Sequence, residues 1–175
     1  MIRRGDPSRV VSCVDGLLAD RSPTAGIPLG PFLRAITDRI LADGASDGDL
    51  TELTHSHAGA RLMSVERARP VGLIVGELVV NAVAYAHPTG VWGRVDVSSR
   101  AGSPAGAVSI EVADDGVGLP ELFDPLVDGG AGLTTVRSMA EQLGAKLHFR
   151  DDGVGLSVRL DVPGPVGLAP EPRKH

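Results

Sequence analysis

Val71-Gly-Leu-Ile-Val-Gly-Glu77-Leu-Val-Val-Asn81-Ala-Val-Ala-Tyr85-Ala-His-Pro88 is apolar at almost every position before its end except Glu77 and Asn81. Read as a helix, the spacing of those two puts a carboxylate and a carboxamide on one face, a single turn apart. Val, Leu, Ile and Ala fill the other sides, so the pattern predicts a helix buried nearly all round. A carboxylate there costs on the order of several kcal/mol unless a cation or a set of donors meets it. Two readings fit the pair: an internally satisfied polar contact, or a site that meets a ligand. The choice rests on the rest of the chain, where two glycine-rich segments with the composition of nucleotide-binding loops follow.

The 175 residues suffice for one domain with a real core and at most a small appendage. Aromatics are 3% of the chain, so packing must rest on Val, Leu, Ile and Ala. The 23 glycines and 13 prolines cluster between apolar segments, as loop chemistry does. A net charge of −5 weighs against nucleic acid as a partner, because phosphate backbones need a basic surface. Lysine occurs only as Lys146 and Lys174, and arginine supplies the remaining positive charge. Cys13 is alone, which excludes an internal disulfide and a cysteine-based metal cage. No apolar run reads as long enough to span a membrane and no signal peptide opens the chain. The expectation is a cytoplasmic protein with no membrane partner.

Helical spacing of Val10, Val11, Val14, Leu17 and Leu18 predicts a first helix over Ser8 to Asp20, and Phe32, Leu33, Ile36, Ile40 and Leu41 a second from Leu29 to Ala42. Leu50 to Thr54 and Ala60 to Val65 read as a strand hairpin. The long apolar helix is expected from Ser64 to His87, with Pro88-Thr-Gly90 stopping it. Strands follow from Arg94 to Ser99 and from Ala107 to Ala113, then a helix from Leu133 to Leu143. Lys146 to Arg150 and Leu156 to Val162 form a closing hairpin around Asp151-Asp-Gly-Val-Gly155. Strands that arrive in adjacent pairs predict an α+β fold, a mixed and mainly antiparallel sheet with helices on one face. The expected division is a helical segment over 1–25, a main domain over 26–163 and a disordered tail over 164–175.

Asp114-Asp-Gly116-Val-Gly118-Leu-Pro120 directly follows a strand. Glycine there permits positive φ and close approach of a flat ligand, and a carboxylate can accept from an exocyclic amine such as adenine's. An acidic hairpin turn is the plainer alternative. Gly129-Gly130-Ala131-Gly132-Leu133 leads straight into a helix, where unpaired N–H groups and the positive dipole end suit a phosphate; an ordinary helix start after a loose loop fits too. Neither segment is a Rossmann fingerprint or a Walker A loop.

In this order and spacing the three pieces resemble the GHKL ATPases, the superfamily of gyrase, Hsp90 chaperones, sensor histidine kinases and MutL. Glu77-Leu-Val-Val-Asn81-Ala82 resembles the N box, Asp114-Asp-Gly116-Val-Gly118 the first glycine box, and Gly130-Ala-Gly132-Leu133 the second. The approach Glu66-Arg-Ala-Arg-Pro-Val-Gly-Leu-Ile-Val-Gly-Glu77 and the helix Val136-Arg-Ser-Met-Ala-Glu-Gln-Leu-Gly144 are similar to bacterial histidine kinases, most of all the HWE-type subgroup. The resemblance implies a Bergerat-type two-layer sandwich that binds ATP and Mg²⁺. It implies Glu77 as the catalytic carboxylate, Asn81 as the Mg²⁺ ligand and Asp114 as the reader of the adenine amine. Gly116 and Gly118 would shape the base pocket beside Tyr85; Gly130, Gly132 and Leu133 would serve the phosphates and hinge a short lid over Glu121 to Gly129.

This chain departs from that pattern in three places. Histidine kinases usually carry a lysine three residues after the N-box Asn, and Ala84 stands there, so Arg137 or another arginine must replace it or the charge is lost. The late Gly-Thr becomes Gly155-Leu156-Ser157, so an adenine-side hydroxyl comes from Ser157 or is missing. Arg9 to Asp20 is the one candidate remnant of a dimerising acceptor hairpin, and it holds no histidine. His55 and His57 alternate as on a strand, the wrong context for a phosphoacceptor; Trp92 reads as a core or sheet-edge anchor and Cys13 as buried. The resemblance implies phosphoryl transfer to a histidine elsewhere, with an acceptor-histidine domain and response regulator as partners and homodimerisation left open. Two alternatives compete: an anti-sigma-factor-type serine/threonine kinase, and a non-catalytic scaffold of the same fold.

Overall fold

The computed structural model describes residues 7–22, 26–44, 51–59, 61–86, 92–103, 106–151 and 153–164. Its elements run α1 (Pro7–Leu18), β1 (Ile27–Pro28), α2 (Leu29–Gly44), β2 (Thr51–His57), β3 (Leu62–Met63), α3 (Val65–Tyr85), β4 (Gly93–Ala101), β5 (Val108–Asp114), α4 (Ala131–Leu143), β6 (Lys146–Asp151) and β7 (Leu156–Val162). The main sheet has strand order β2-β4-β5-β7-β6. Its β2–β4 pair is parallel and the other three pairs are antiparallel. Val95, Val97, Val108, Ile110, Val112, Val158, Leu160 and Val162 turn inward and share one core with the helices. The alternate residues face out, and Arg94–Asp96, Arg159–Asp161 and His148–Asp161 pair there at 3.2 Å each. This is the expected α+β two-layer arrangement with helices on one face.

The expected early hairpin does not form. β2 pairs in parallel with β4, Leu53 opposite Val95 and His55 opposite Val97, while β3 joins β1 in a separate two-stranded ribbon. The expectation that no apolar run could span a membrane also fails as stated: α3, 21 residues long, is long and apolar enough by length and composition. In the fold its Val71 to Val79 run is buried, because α1, α2, α4 and the sheet cover it. Trp92 is 55% exposed rather than a core anchor, whereas Cys13 is buried. His87, residues 88–90, His175 and the tail from 165 on lie outside the described residues.

The N-terminal segment is not peripheral. Val10, Cys13, Val14 and Leu18 of α1 enter the common core, and Arg69 of α3 donates to both carboxylate oxygens of Asp15 at 2.7 and 3.1 Å. A Cβ on Gly76 would lie 2.4 Å from Val10 Cγ1, so the two helices meet more closely there than any larger residue allows.

His55 and His57 face α2 from the sheet. Thr37 Oγ1 lies 3.0 Å from the carbonyls of Leu33 and Arg34, and its one proton goes to them. It therefore accepts from His55 Nε2–H at 3.1 Å, which leaves the lone pair on Nδ1. His55 Nδ1 and His57 Nε2 are buried without a hydrogen-bond partner among the described residues. Burial, then the positive Arg34, holds both imidazoles below their ordinary pKa. A depressed histidine pKa contributes stability above the unfolded value, near 6.5, that is lost as pH falls below it. The melting temperature should therefore drop by several degrees as pH falls from about 7.5 to 5, order of magnitude. A His55→Gln, His57→Asn double variant should flatten that slope, and equal slopes in the two proteins would refute the assignment.

Candidate functional site

α3 and α4 lie side by side above the sheet, and a cavity of about 600 Å³ opens at their ends. It gathers residues distant in sequence: Glu77, Asn81 and Tyr85 from α3, Asp114 at the end of β5, Gly118 after it, and Gly130, Gly132 and Leu133 at the start of α4. Gly116 is not among the lining residues; it packs behind them, where a Cβ would fall 2.4 Å from Ala86 Cα at the end of α3. The Val117 N–H donates to Ala86 O at 3.0 Å and ties the loop to that helix end.

Glu77 is 5% exposed and has no hydrogen-bond or ion-pair partner among the described residues. Burial pushes its carboxyl above the ordinary glutamate range. The reason α4 can approach is Gly132: a Cβ there would lie 2.7 Å from Glu77 Oε2 and 3.6 Å from Asn81 Oδ1. The carboxylate and carboxamide thus face the N-terminal turn of α4, where orphan N–H groups and the dipole favour negative charge. Gly130 is the N-cap, and no side chain caps the helix there, so these donors stay available to an anion. Two oxygen donors one turn apart, beside an anion-binding helix end, match what a magnesium phosphate requires.

At the opposite end, Asp114 Oδ1 accepts from Gly116 N–H at 3.0 Å and Leu156 N–H at 3.2 Å. Two backbone donors therefore fix the carboxylate at the cavity wall, among Val112, Leu156 and Val158. Ser157 does not join them. It lies on the outer face of β7, where its hydroxyl donates to Glu111, so Ser157 supplies no hydroxyl to this wall.

Residues 121–129 pack over the cavity with Phe123 and Pro125 inward, while Leu122 is 98% exposed. Arg137 holds this segment: Nη1 donates to Pro125 O at 3.0 Å and Asp128 O at 2.7 Å. The left-handed residue at its end is Gly129, φ +105°, and not Gly130.

Sequence reasoning missed two contributors. Asp151 accepts from Leu119 N–H at 2.7 Å and Gly153 N–H at 2.9 Å, which holds its carboxyl below the usual range and fastens the first glycine loop to the β6–β7 turn. Its place in the Asp-Asp-Gly turn was legible; its reach to residue 119 was not. Arg9, Val10 and Cys13 bring α1 into the cavity wall, which no motif in the sequence announces.

Residues 66–166 match the family described as histidine kinase-, DNA gyrase B- and HSP90-like ATPase. The chain is 33% identical over 137 residues to blue-light-activated histidine kinase 2 of Erythrobacter litoralis, which covers 78% of this chain and 38% of that protein. It therefore spans well under half of that relative's length. The fold is similar to the histidine kinase domain of a blue-light-activated histidine kinase from the same organism, with a TM-score of 0.73 and 28% identity over 91% of this chain and 76% of that one. It is similar as well to histidine kinase AdeS of Acinetobacter baumannii, with a TM-score of 0.61, 18% identity and the same coverages, a likeness of fold alone. The matched segment contains the Glu77–Asn81 helix, both glycine loops and strands β4 to β7, so the chain belongs to the histidine kinase-, DNA gyrase B- and HSP90-like ATPase family and resembles its histidine kinase catalytic domains.

Proposed function

We propose that this chain is the ATP-binding catalytic domain of an HWE-type histidine kinase, transferring the γ-phosphoryl group of Mg-ATP to a histidine on another segment or chain in two-component signalling. The observation that carries the reading is Glu77: a buried, partnerless carboxylate kept one turn from Asn81 and against the α4 N-terminus. A non-catalytic scaffold has no use for that charge, whose burial cost the α4 N-terminus offsets only in part. Asn81 and Glu77 offer the oxygens that would hold Mg²⁺, which would offset the charge of the phosphates. Glu77 orients and deprotonates the attacking imidazole as it approaches; burial, which raises its pKa, makes it a stronger proton acceptor than an exposed glutamate. The α4 N–H groups at Gly130 and Gly132 receive the polyphosphate, Asp114 accepts from the adenine amine, and Tyr85 and Gly118 border the base. Residues 121–129 serve as the lid over the bound nucleotide.

On this reading the ATP-binding domain spans 26–163 with α1 packed into its core, it is located in the cytoplasm, and the partners are an acceptor-histidine domain and a response regulator. The test is transfer from γ-labelled ATP to a separately supplied acceptor-histidine domain. Acid-labile, base-stable label on that domain is expected. Acid-stable label on a protein hydroxyl would instead favour the serine/threonine kinase reading.

A further inference from the structure

Among the described residues, the charged ones lining the cavity are Glu77, Asp114 and Arg9. Two of these are negative, and a triphosphate brings several further negative charges. The α4 N-terminus offsets only about half a unit charge. Arg137, the cation nearest the second glycine loop in sequence, does not line the cavity; its guanidinium holds the carbonyls of Pro125 and Asp128. Arg9 is thus the one cationic side chain on the cavity wall among the described residues.

The geometry of α3 explains how a residue of α1 reaches a site on α4's side. Successive residues turn by about 100°. Gly76 and Val80 face α1, Glu77 and Asn81 lie about a quarter turn round toward α4, and Ala84 falls between the two directions. Ala84 carries only a methyl group, and the same cavity is lined by Asn81, Ala84, Arg9, Val10 and Cys13. The close approach of Val10 to Gly76 brings the α1 backbone near that opening.

From this arrangement we infer that Arg9 supplies the cation that meets the polyphosphate, so that α1, outside the family-matched residues 66–166, is a working part of the nucleotide site. The inference rests on the ATP reading above. It also makes nucleotide affinity depend on the seating of α1, and hence on whatever is joined upstream of it.

The test compares the full chain, Arg9→Ala and Arg9→Lys, each with Mg²⁺, in titrations with a non-hydrolysable ATP analogue and, by competition, adenosine. Arg9→Ala should weaken the ATP analogue by about 10-fold to 100-fold and leave adenosine within about twofold, inside the scatter expected of a contact not made. Arg9→Lys should restore part of the loss, and the adenosine control separates that loss from any change in melting temperature, since Arg9 also makes a contact within the fold. Unchanged analogue affinity in Arg9→Ala, or an equal loss for adenosine, overturns the role of Arg9. A wild-type chain that binds neither ligand overturns the ATP reading as well, so the two failures are distinguishable.

Discussion

Asp114→Asn should reduce affinity for an ATP analogue by at least about 100-fold while leaving the unliganded fold intact. The fold survives because the oxygen that accepts from Gly116 and Leu156 N–H is retained in asparagine. What changes is the other terminus of the side chain, where an acceptor becomes an NH₂ donor. On the proposed reading this terminus meets the adenine amine, so the variant would place two donors against each other and turn a charge-assisted bond into an unsatisfied contact. Calorimetry paired with a melting curve separates the two effects. Binding within about threefold of wild type would remove Asp114 from base recognition.

Glu77→Gln should lower phosphoryl transfer by about 10²-fold to 10⁴-fold, the range for loss of a positioned proton acceptor. The same substitution should leave the unliganded protein more stable, by about 1 kcal/mol or more, because it removes an unpaired buried charge. The pH dependence has a definite sign. A carboxyl whose folded pKa is raised contributes stability below its unfolded value of 4.5 and loses it as pH rises through the folded value. The glutamine variant has no such loss, so its advantage should be larger at pH 8 than at pH 5. A wild type that melts above the variant at pH 8 would show that Glu77 is compensated in the fold.

The sequence was most legible where a single helix carried the message. The period of α3 and its lone polar pair at Glu77 and Asn81 were read directly, and both glycine loops were located by composition. Legibility ended where distant segments meet. Thr51-Glu-Leu-Thr-His-Ser-His57 has no strong alternation of apolar residues, and its partner β4 begins about 40 residues on, so local pattern pointed to a hairpin instead of a parallel pair. β1 is two residues long and includes Pro28, too little for a strand signal. The stripe of Val10, Val14 and Leu18 announced a buried face on α1 but not that it would rest on Gly76 beside the site. Side-chain bonds to backbone carbonyls, such as those of Arg137 on residues 125 and 128, leave no periodic trace at all.

The account depends on Glu77 and Asn81 facing a magnesium-bound triphosphate across Gly132. Calorimetric titration of the chain with a non-hydrolysable ATP analogue, with Mg²⁺ and then with a chelator, measures this most directly. The account predicts saturable binding that weakens by about tenfold or more without the metal and is lost in Asn81→Ala. No heat and no thermal shift at millimolar nucleotide (roughly the affinity floor at about −4 kcal/mol), or binding indifferent to both metal and Asn81, would contradict it.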